Sequence, residues 1–256
     1  MEDSMETPRF YQSCDGRNFT NVWHHVRRPW SVLIGMLSQF VLLPLSAFCL
    51  ISGLGLSPLH GTGMLLLSCS PGGVTSNIFA YFCDGDISLS ITMTACSTVV
   101  ALGMMPFNLW LYGRGVAGSV VIPYDRMAVS LVSVTAPVLA GMAVHWRFPK
   151  AALHLTKIGT YAGLLIIIVC QTMEFFIFPD IFSAVPWQVY VAVVALPLCG
   201  LTLGYGAALA CRREPAVCRT VAIESGIQNV GTALTVASLS FTFQVLRLSI
   251  FVPDIP

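Results

Sequence analysis

The chain carries too few charges to cover a water-soluble surface. Of its 256 residues, 55% are hydrophobic and 10% are charged, whereas a soluble domain has about a quarter charged residues. The apolar residues are gathered in segments of about 20, the length that crosses the hydrocarbon core of a bilayer. We therefore predict an integral membrane protein whose surroundings are lipid. A net charge of +1 gives no indication of a nucleic-acid partner.

We predict an all-α, polytopic bundle of seven membrane-spanning helices, because lipid offers no partner to an unpaired backbone group. The helices are expected within residues 30–246, between a polar leader at 1–29 and a tail at 247–256. Their approximate bounds are Trp30–Leu54, Leu59–Phe82, Ile87–Tyr112, Met127–Trp146, Leu155–Phe178, Trp187–Cys211 and Val217–Phe243.

Basic residues collect in alternate connections between these helices. They precede the first helix and lie between the fourth and fifth and between the sixth and seventh. Because cytoplasmic loops carry the excess of Lys and Arg, we expect a cytoplasmic N-terminus. We also expect a multi-pass protein of the plasma membrane. No GxxxxGK[ST] sequence for ATP and no cysteine spacing typical of zinc occurs. We expect no cofactor.

The second apolar segment is interrupted by the polar sequence Cys69–Asn77, CSPGGVTSN. Pro71 removes a backbone donor, and two glycines follow it. Such a break is tolerated in a membrane only where it is buried in protein or lines a cavity. The alternative is a kinked helix packed through small residues. A single Pro or Gly suffices for a kink, so the cluster of side-chain oxygens favours a binding site.

The seventh segment contains Glu224–Asn229, ESGIQN, with a carboxylate well inside the membrane. A charged residue there costs at least about 2.5 kcal/mol and needs a partner. Because the central membrane segments contain no Lys or Arg, a bound cation or a proton remains. A Glu that reaches interfacial water is the other alternative.

Further oxygen groups accompany the two interrupted segments. Ser90 and Thr94 are four residues apart and share a helix face, and Gln39 is a lone amide in apolar surroundings. Hard cations take hydroxyl, amide, carbonyl and carboxylate oxygens. Interrupted helices at corresponding positions of two halves are typical of secondary transporters with inverted repeats. The pattern therefore indicates a cation-coupled transporter.

Five stretches of the sequence carry a family resemblance. They are Cys69–Asn77 (CSPGGVTSN), Gly85–Ser90 (GDISLS), Met93–Thr98 (MTACST), Ala101–Pro106 (ALGMMP) and Glu224–Val230 (ESGIQNV). Together they resemble the bile acid:sodium symporter family, from about Trp23 to Phe241. The resemblance implies a transporter, not an enzyme, that couples Na⁺ to the import of bile acids or related amphipathic organic anions such as sulfated steroids. It also implies two discontinuous helices that cross at the membrane centre.

The resemblance implies two sodium sites at that crossing. One would use Ser76, Asn77, Ser90, Thr94 and Glu224. The other would use Gln39, Glu224, Gln228 and the backbone carbonyls near Ser225 and Ile227.

Three alternatives to this interpretation remain open. Members of the family have one more helix before our first and at least one after our seventh. The chain is therefore also interpreted as a transport-inactive or truncated isoform that associates with itself or with a full-length relative. A membrane enzyme is disfavoured, because no GxSG-type serine or paired intramembrane aspartates occur. A proton could also replace Na⁺ as the coupling ion.

Overall fold

The computed structural model describes residues 29–73, 75–116, 124–148 and 185–240, together with separate positions between 159 and 176. The first four of these ranges contain eight helices. They are α1 (Trp30–Leu54), α2 (Pro58–Ser68), α3 (Thr75–Phe82), α4 (Ile87–Val116), α5 (Tyr124–Arg147), α6 (Trp187–Ala210), α7 (Pro215–Gly226) and α8 (Val230–Ser240). Within α1, residues Ser38–Leu42 form a π-helical turn.

Three of these helices are long and apolar enough to cross a bilayer. They are α1 with 25 residues, α4 with 30 and α6 with 24. Their outer faces carry large apolar side chains that the rest of the protein does not cover, such as Leu37, Trp110 and Val194. Lipid is the solvent that suits such a surface, so the predicted all-α membrane fold is confirmed.

Four of the predicted spans correspond to single helices, since α1, α4, α5 and α6 begin and end within a few residues of the expected bounds. The second and seventh segments were predicted as spans with polar interruptions, and each consists of two separate helices, α2 with α3 and α7 with α8. The predicted fifth span, Leu155–Phe178, lies outside the described residues except for separate positions. The tail at 247–256 and the leader before Pro29 also lie outside them.

The two interruptions meet and pair with each other. Gly72 and Gln228 form an antiparallel bridge. The Gly73 amide donates to the Ile227 carbonyl at 3.1 Å, and the Asn229 amide donates to the Pro71 carbonyl at 2.9 Å. Each break thus supplies partners for backbone groups that the other leaves unpaired, which a low-dielectric interior requires. The two discontinuous helices therefore cross, as the sequence resemblance implied.

Two glycines of α6 bring α7 close to that helix. A Cβ on Gly200 would overlap the carbonyl oxygen of Ser225, and a Cβ on Gly204 would lie 3.0 Å from the carbonyl oxygen of Val221. The four-residue spacing places both glycines on one face of α6. Small residues at this spacing let membrane helices approach at the backbone. This close packing fixes the position of the helix that carries Glu224.

We expect Gly200→Ala to lower the thermal unfolding temperature of the purified protein, because the added methyl group must displace the α7 backbone. Overpacking of this kind costs about 1–3 kcal/mol. Gly206→Ala on the same helix is the matched control, since its Cβ would meet nothing within 4 Å. Equal unfolding temperatures for the two variants would show that α6 and α7 do not pack through Gly200.

Candidate cation site

Glu224 lies near the end of α7 with 0% of its surface exposed. Its Oε2 atom accepts from the hydroxyls of Ser76 at 2.6 Å and Ser90 at 3.2 Å. Its Oε1 atom accepts from the Thr94 hydroxyl at 2.6 Å. The carboxylate therefore joins α3 and α4 to α7, and we call Glu224 and these three hydroxyl residues the carboxylate cluster.

The carboxylate cluster contains more acceptor positions than protons. The Ser76 hydroxyl also lies 2.6 Å from the Gly73 carbonyl, and the Thr94 hydroxyl lies 3.1 Å from the Ser90 carbonyl. Three hydroxyl protons therefore serve five oxygen–oxygen contacts, and a hydroxyl has only one proton to donate. If the carboxylate is ionised, two of these contacts must either share a proton in three-centre bonds or bring lone pairs together. A small cation or an added proton among these oxygens would relieve that repulsion.

Two features hold the carboxylate in this position. One turn before Glu224, the Thr220 hydroxyl accepts from the Asp86 amide at 2.7 Å, and the Arg219 guanidinium donates to the Asp84 carbonyl at 2.6 Å. These bonds fasten α7 to the turn between α3 and α4. The second feature is Gly72, where a Cβ would overlap Oε1 of Glu224. The absence of a side chain there gives the carboxylate its space.

A second polar group lies beside the same crossing. Gln39 is 0% exposed, and its Nε2 atom donates to the Ser70 carbonyl at 2.9 Å and to Oε1 of Gln228 at 2.8 Å. Gln228 Nε2 donates in turn to the Ser225 carbonyl at 2.9 Å. We call Gln39, Gln228 and the Ser225 carbonyl the amide cluster.

One oxygen of the amide cluster and one neighbouring hydroxyl have no hydrogen-bond partner. Oε1 of Gln39 and the Ser225 hydroxyl are buried without a hydrogen-bond partner. An unpaired buried polar atom costs about 1–3 kcal/mol. A cation bound to Oε1 of Gln39 would supply the missing partner, so this oxygen fits a cation ligand.

The sequence predicted most of these residues, and the structure divides them between the two clusters. Asn77 follows Ser76 on α3, half-buried, with its Oδ1 atom shielded from the surface. The Ile227 carbonyl accepts from Gly73 in the backbone pairing. Among the described residues, no hydrogen bond joins the Glu224 carboxylate to Gln39 or Gln228. The sharing of Glu224 between two sodium sites stays a prediction.

Sequence reasoning missed three supporting features. Ser97 accepts from the Gly72 amide at 3.2 Å. The π-helical turn Ser38–Leu42 contains Gln39, and Pro44 two residues beyond it was the available signal. Asn108 of α4 donates to the Phe40 carbonyl within that turn at 2.9 Å. Nothing in local spacing connects Asn108 with a carbonyl 68 residues earlier.

The arrangement as a whole offers neutral oxygens and a single carboxylate in a buried setting. Carboxylate, hydroxyl, amide and carbonyl oxygens suit hard cations. Ionised Glu224 gives the carboxylate cluster a net charge of −1, and its other members are neutral. This charge matches one monovalent cation better than a divalent one. The position at two crossed helix breaks is the place where transporters with discontinuous helices bind coupling ions.

Comparisons of the whole sequence with known proteins agree with one another. Residues 17–176 match the sodium bile acid symporter family. The ileal sodium/bile acid cotransporter of Oryctolagus cuniculus is 38% identical over 220 residues, which cover 85% of this chain and 63% of the relative. The sodium-dependent organic anion transporter of Bos taurus is 39% identical over 227 residues, covering 88% of this chain and 60% of the relative. The chain thus spans less than two thirds of these relatives' length.

Proposed function

Because the chain belongs to the sodium bile acid symporter family, we propose that it couples the inward movement of Na⁺ to the import of a bile acid or a related amphipathic organic anion, such as a sulfated steroid. Its relatives are a sodium/bile acid cotransporter and a sodium-dependent organic anion transporter. Members of the family are transporters, so no residue is assigned to catalysis. The chain is an integral membrane protein with several spans.

The carboxylate cluster is the observation that carries this proposal. Glu224 is buried at the crossing of two broken helices, where its bonded partners are the hydroxyls of Ser76, Ser90 and Thr94. A buried carboxylate without a cation is costly in a membrane interior. A monovalent cation neutralises it and satisfies the surplus of oxygen lone pairs.

We assign two sodium sites as part of the same proposal. The first comprises the carboxylate cluster with Asn77, and the second comprises the amide cluster with the Ile227 carbonyl and a shared Glu224. The unpaired Oε1 of Gln39 supports the second site. The Gly72–Gln228 bridge connects the two clusters, because Gly72 lies against Glu224 and Gln228 belongs to the amide cluster. Ions in both sites would therefore hold the two broken helices together.

We also propose that the protein lies in the plasma membrane with its N-terminus in the cytoplasm. Basic residues in the α6–α7 connection, including Arg212 and Arg213, support this orientation. An epitope tag at the N-terminus that is accessible to antibody only after permeabilisation agrees with it.

Uptake of a labelled bile acid and a labelled sulfated steroid tests the function. Cells or liposomes containing the chain are expected to accumulate one of them in sodium medium and not in choline medium. A third arm, choline with an inward proton gradient, identifies a proton-coupled transporter. Equal uptake in sodium and choline, with or without the proton gradient, would contradict cation-coupled import by this chain.

A further inference from the structure

We propose that Asn108 is a positioning residue for the cation site: its amide replaces the backbone donor that Pro44 lacks and thereby holds the π-helical turn that directs Gln39 to the helix crossing. The expected effect of Asn108 on sodium affinity rests on the proposed function. The contacts that carry the inference are independent of that function.

Helix α1 lacks one backbone donor, at Pro44. In an α-helix the Phe40 carbonyl accepts from the amide of residue 44, four positions on. Residue 44 is proline, which has no N–H and whose ring crowds the carbonyl four residues earlier. The helix responds with the wider turn Ser38–Leu42, in which the Leu43 amide donates to the Ser38 carbonyl five residues earlier.

A side chain of α4 supplies a donor in its place. Asn108 of α4 is 2% exposed, and its Nδ2 atom donates to the Phe40 carbonyl at 2.9 Å. Thr92 and Thr98 of the same helix, by contrast, donate to carbonyls of α4 itself. Asn108 instead satisfies the carbonyl that Pro44 leaves without an α-helical partner, and so it stabilises the wide turn.

The π-helical turn sets the direction of the Gln39 side chain. A π turn inserts one residue more per turn than an α-helix, so it rotates the side chains before it relative to those after it. Gln39 lies inside this turn and directs Nε2 to both the Ser70 carbonyl and Gln228. If the turn returned to α-helical spacing, Gln39 would leave the crossing. Asn108 therefore acts on the amide cluster through Gln39.

The test compares Asn108→Leu, Pro44→Ala and the double variant in purified protein. The readouts are the thermal unfolding temperature without sodium and the sodium concentration that gives half of the maximal thermal stabilisation. We expect Asn108→Leu to lower the unfolding temperature and to raise the half-maximal sodium concentration by about five- to tenfold, the effect of one lost hydrogen bond at the site.

The double variant separates positioning from structural support. The Pro44→Ala substitution restores an N–H to the Phe40 carbonyl, so the unfolding temperature is expected to recover. It also permits α-helical spacing, so sodium affinity is expected to stay weak. Recovery of both readouts would assign Asn108 a structural role only, and an unchanged Asn108→Leu variant would also overturn the proposal. If Asn108→Leu does not fold, Asn108→Thr keeps a shorter donor and is expected to show the same shifts at smaller size.

A double-mutant cycle covers the case in which the wild-type protein shows no response to sodium. That result would contradict the proposed function but not this inference. Without sodium, the losses of unfolding temperature in Asn108→Leu and Gln39→Ala are expected to be less than additive, because loss of Asn108 already releases Gln39 from its partners. Additive losses would overturn the positioning role. Thr202→Val, which removes a hydroxyl that bonds only within α6 and is exposed, is the matched control.

Discussion

Glu224→Gln is expected to abolish sodium-stimulated uptake and to lower sodium affinity at least about 100-fold, or about 2.7 kcal/mol. Gln has nearly the same shape as Glu but carries no charge. Its amide oxygen can still accept from Ser76 or Thr94, so the variant removes the attraction for the cation while it keeps the packing of α7. Sodium titration of thermal stability, with uptake in parallel, measures the effect.

The unfolding temperature of Glu224→Gln without sodium separates this effect from misfolding. Removing a buried, uncompensated charge does not destabilise a protein, since the desolvation penalty of that charge is lost as well. We therefore expect the sodium-free unfolding temperature to equal or exceed that of the wild-type protein. In the wild type, sodium at 100 times its dissociation constant should add about 2.7 kcal/mol of stability, and the variant should gain almost none.

Glu214→Gln is the matched control for the loss of a carboxylate. Glu214 immediately precedes the same helix, α7, and is exposed. Its replacement should leave uptake and sodium stabilisation unchanged. Sodium-stimulated uptake by Glu224→Gln at the wild-type level would rule out the carboxylate cluster as the coupling site.

The sequence predicted the carboxylate cluster well because polar groups inside an apolar segment are conspicuous. Glu224 and the CSPGGVTSN interruption have no reason to occur in lipid-facing helices, and hard-cation chemistry connects them. Ser90 and Thr94 followed from helical periodicity and the family resemblance. The structure brings these residues to one carboxylate. Their use as sodium ligands stays a prediction.

The geometry around Gln39 could not be predicted in the same way. Its orientation depends on a π turn, which requires Pro44 on its own helix and Asn108 on another. Contacts between residues so far apart in the chain leave no periodic signal. Local patterns also do not indicate that the two helix breaks pair at Gly72 and Gln228. Crossing was expected only from the family resemblance.

Gly72→Ala is expected to impair the site as severely as the loss of the carboxylate, although it changes no charge. A Cβ at this position would overlap Oε1 of Glu224. The backbone cannot retreat easily, because the Gly72 amide donates to Ser97 and the neighbouring Gly73 amide donates to Ile227. The carboxylate must therefore turn away from Thr94. We expect loss of sodium stabilisation together with about 1–3 kcal/mol of lost stability from overpacking.

Gly63→Ala tests whether this effect belongs to the crossing or to glycine in general. Gly63 lies in α2, the helix that leads into the same break, and a Cβ there would meet nothing within 4 Å. Since Ala favours a helix by about 1 kcal/mol over Gly, Gly63→Ala should unfold at the wild-type temperature or above it and should bind sodium normally. Gly72 is not in the left-handed backbone region, so strain of the backbone does not explain a loss there. A Gly72→Ala protein with normal sodium stabilisation would mean that the carboxylate binds the cation in a position different from the one that Thr94 and Ser76 define.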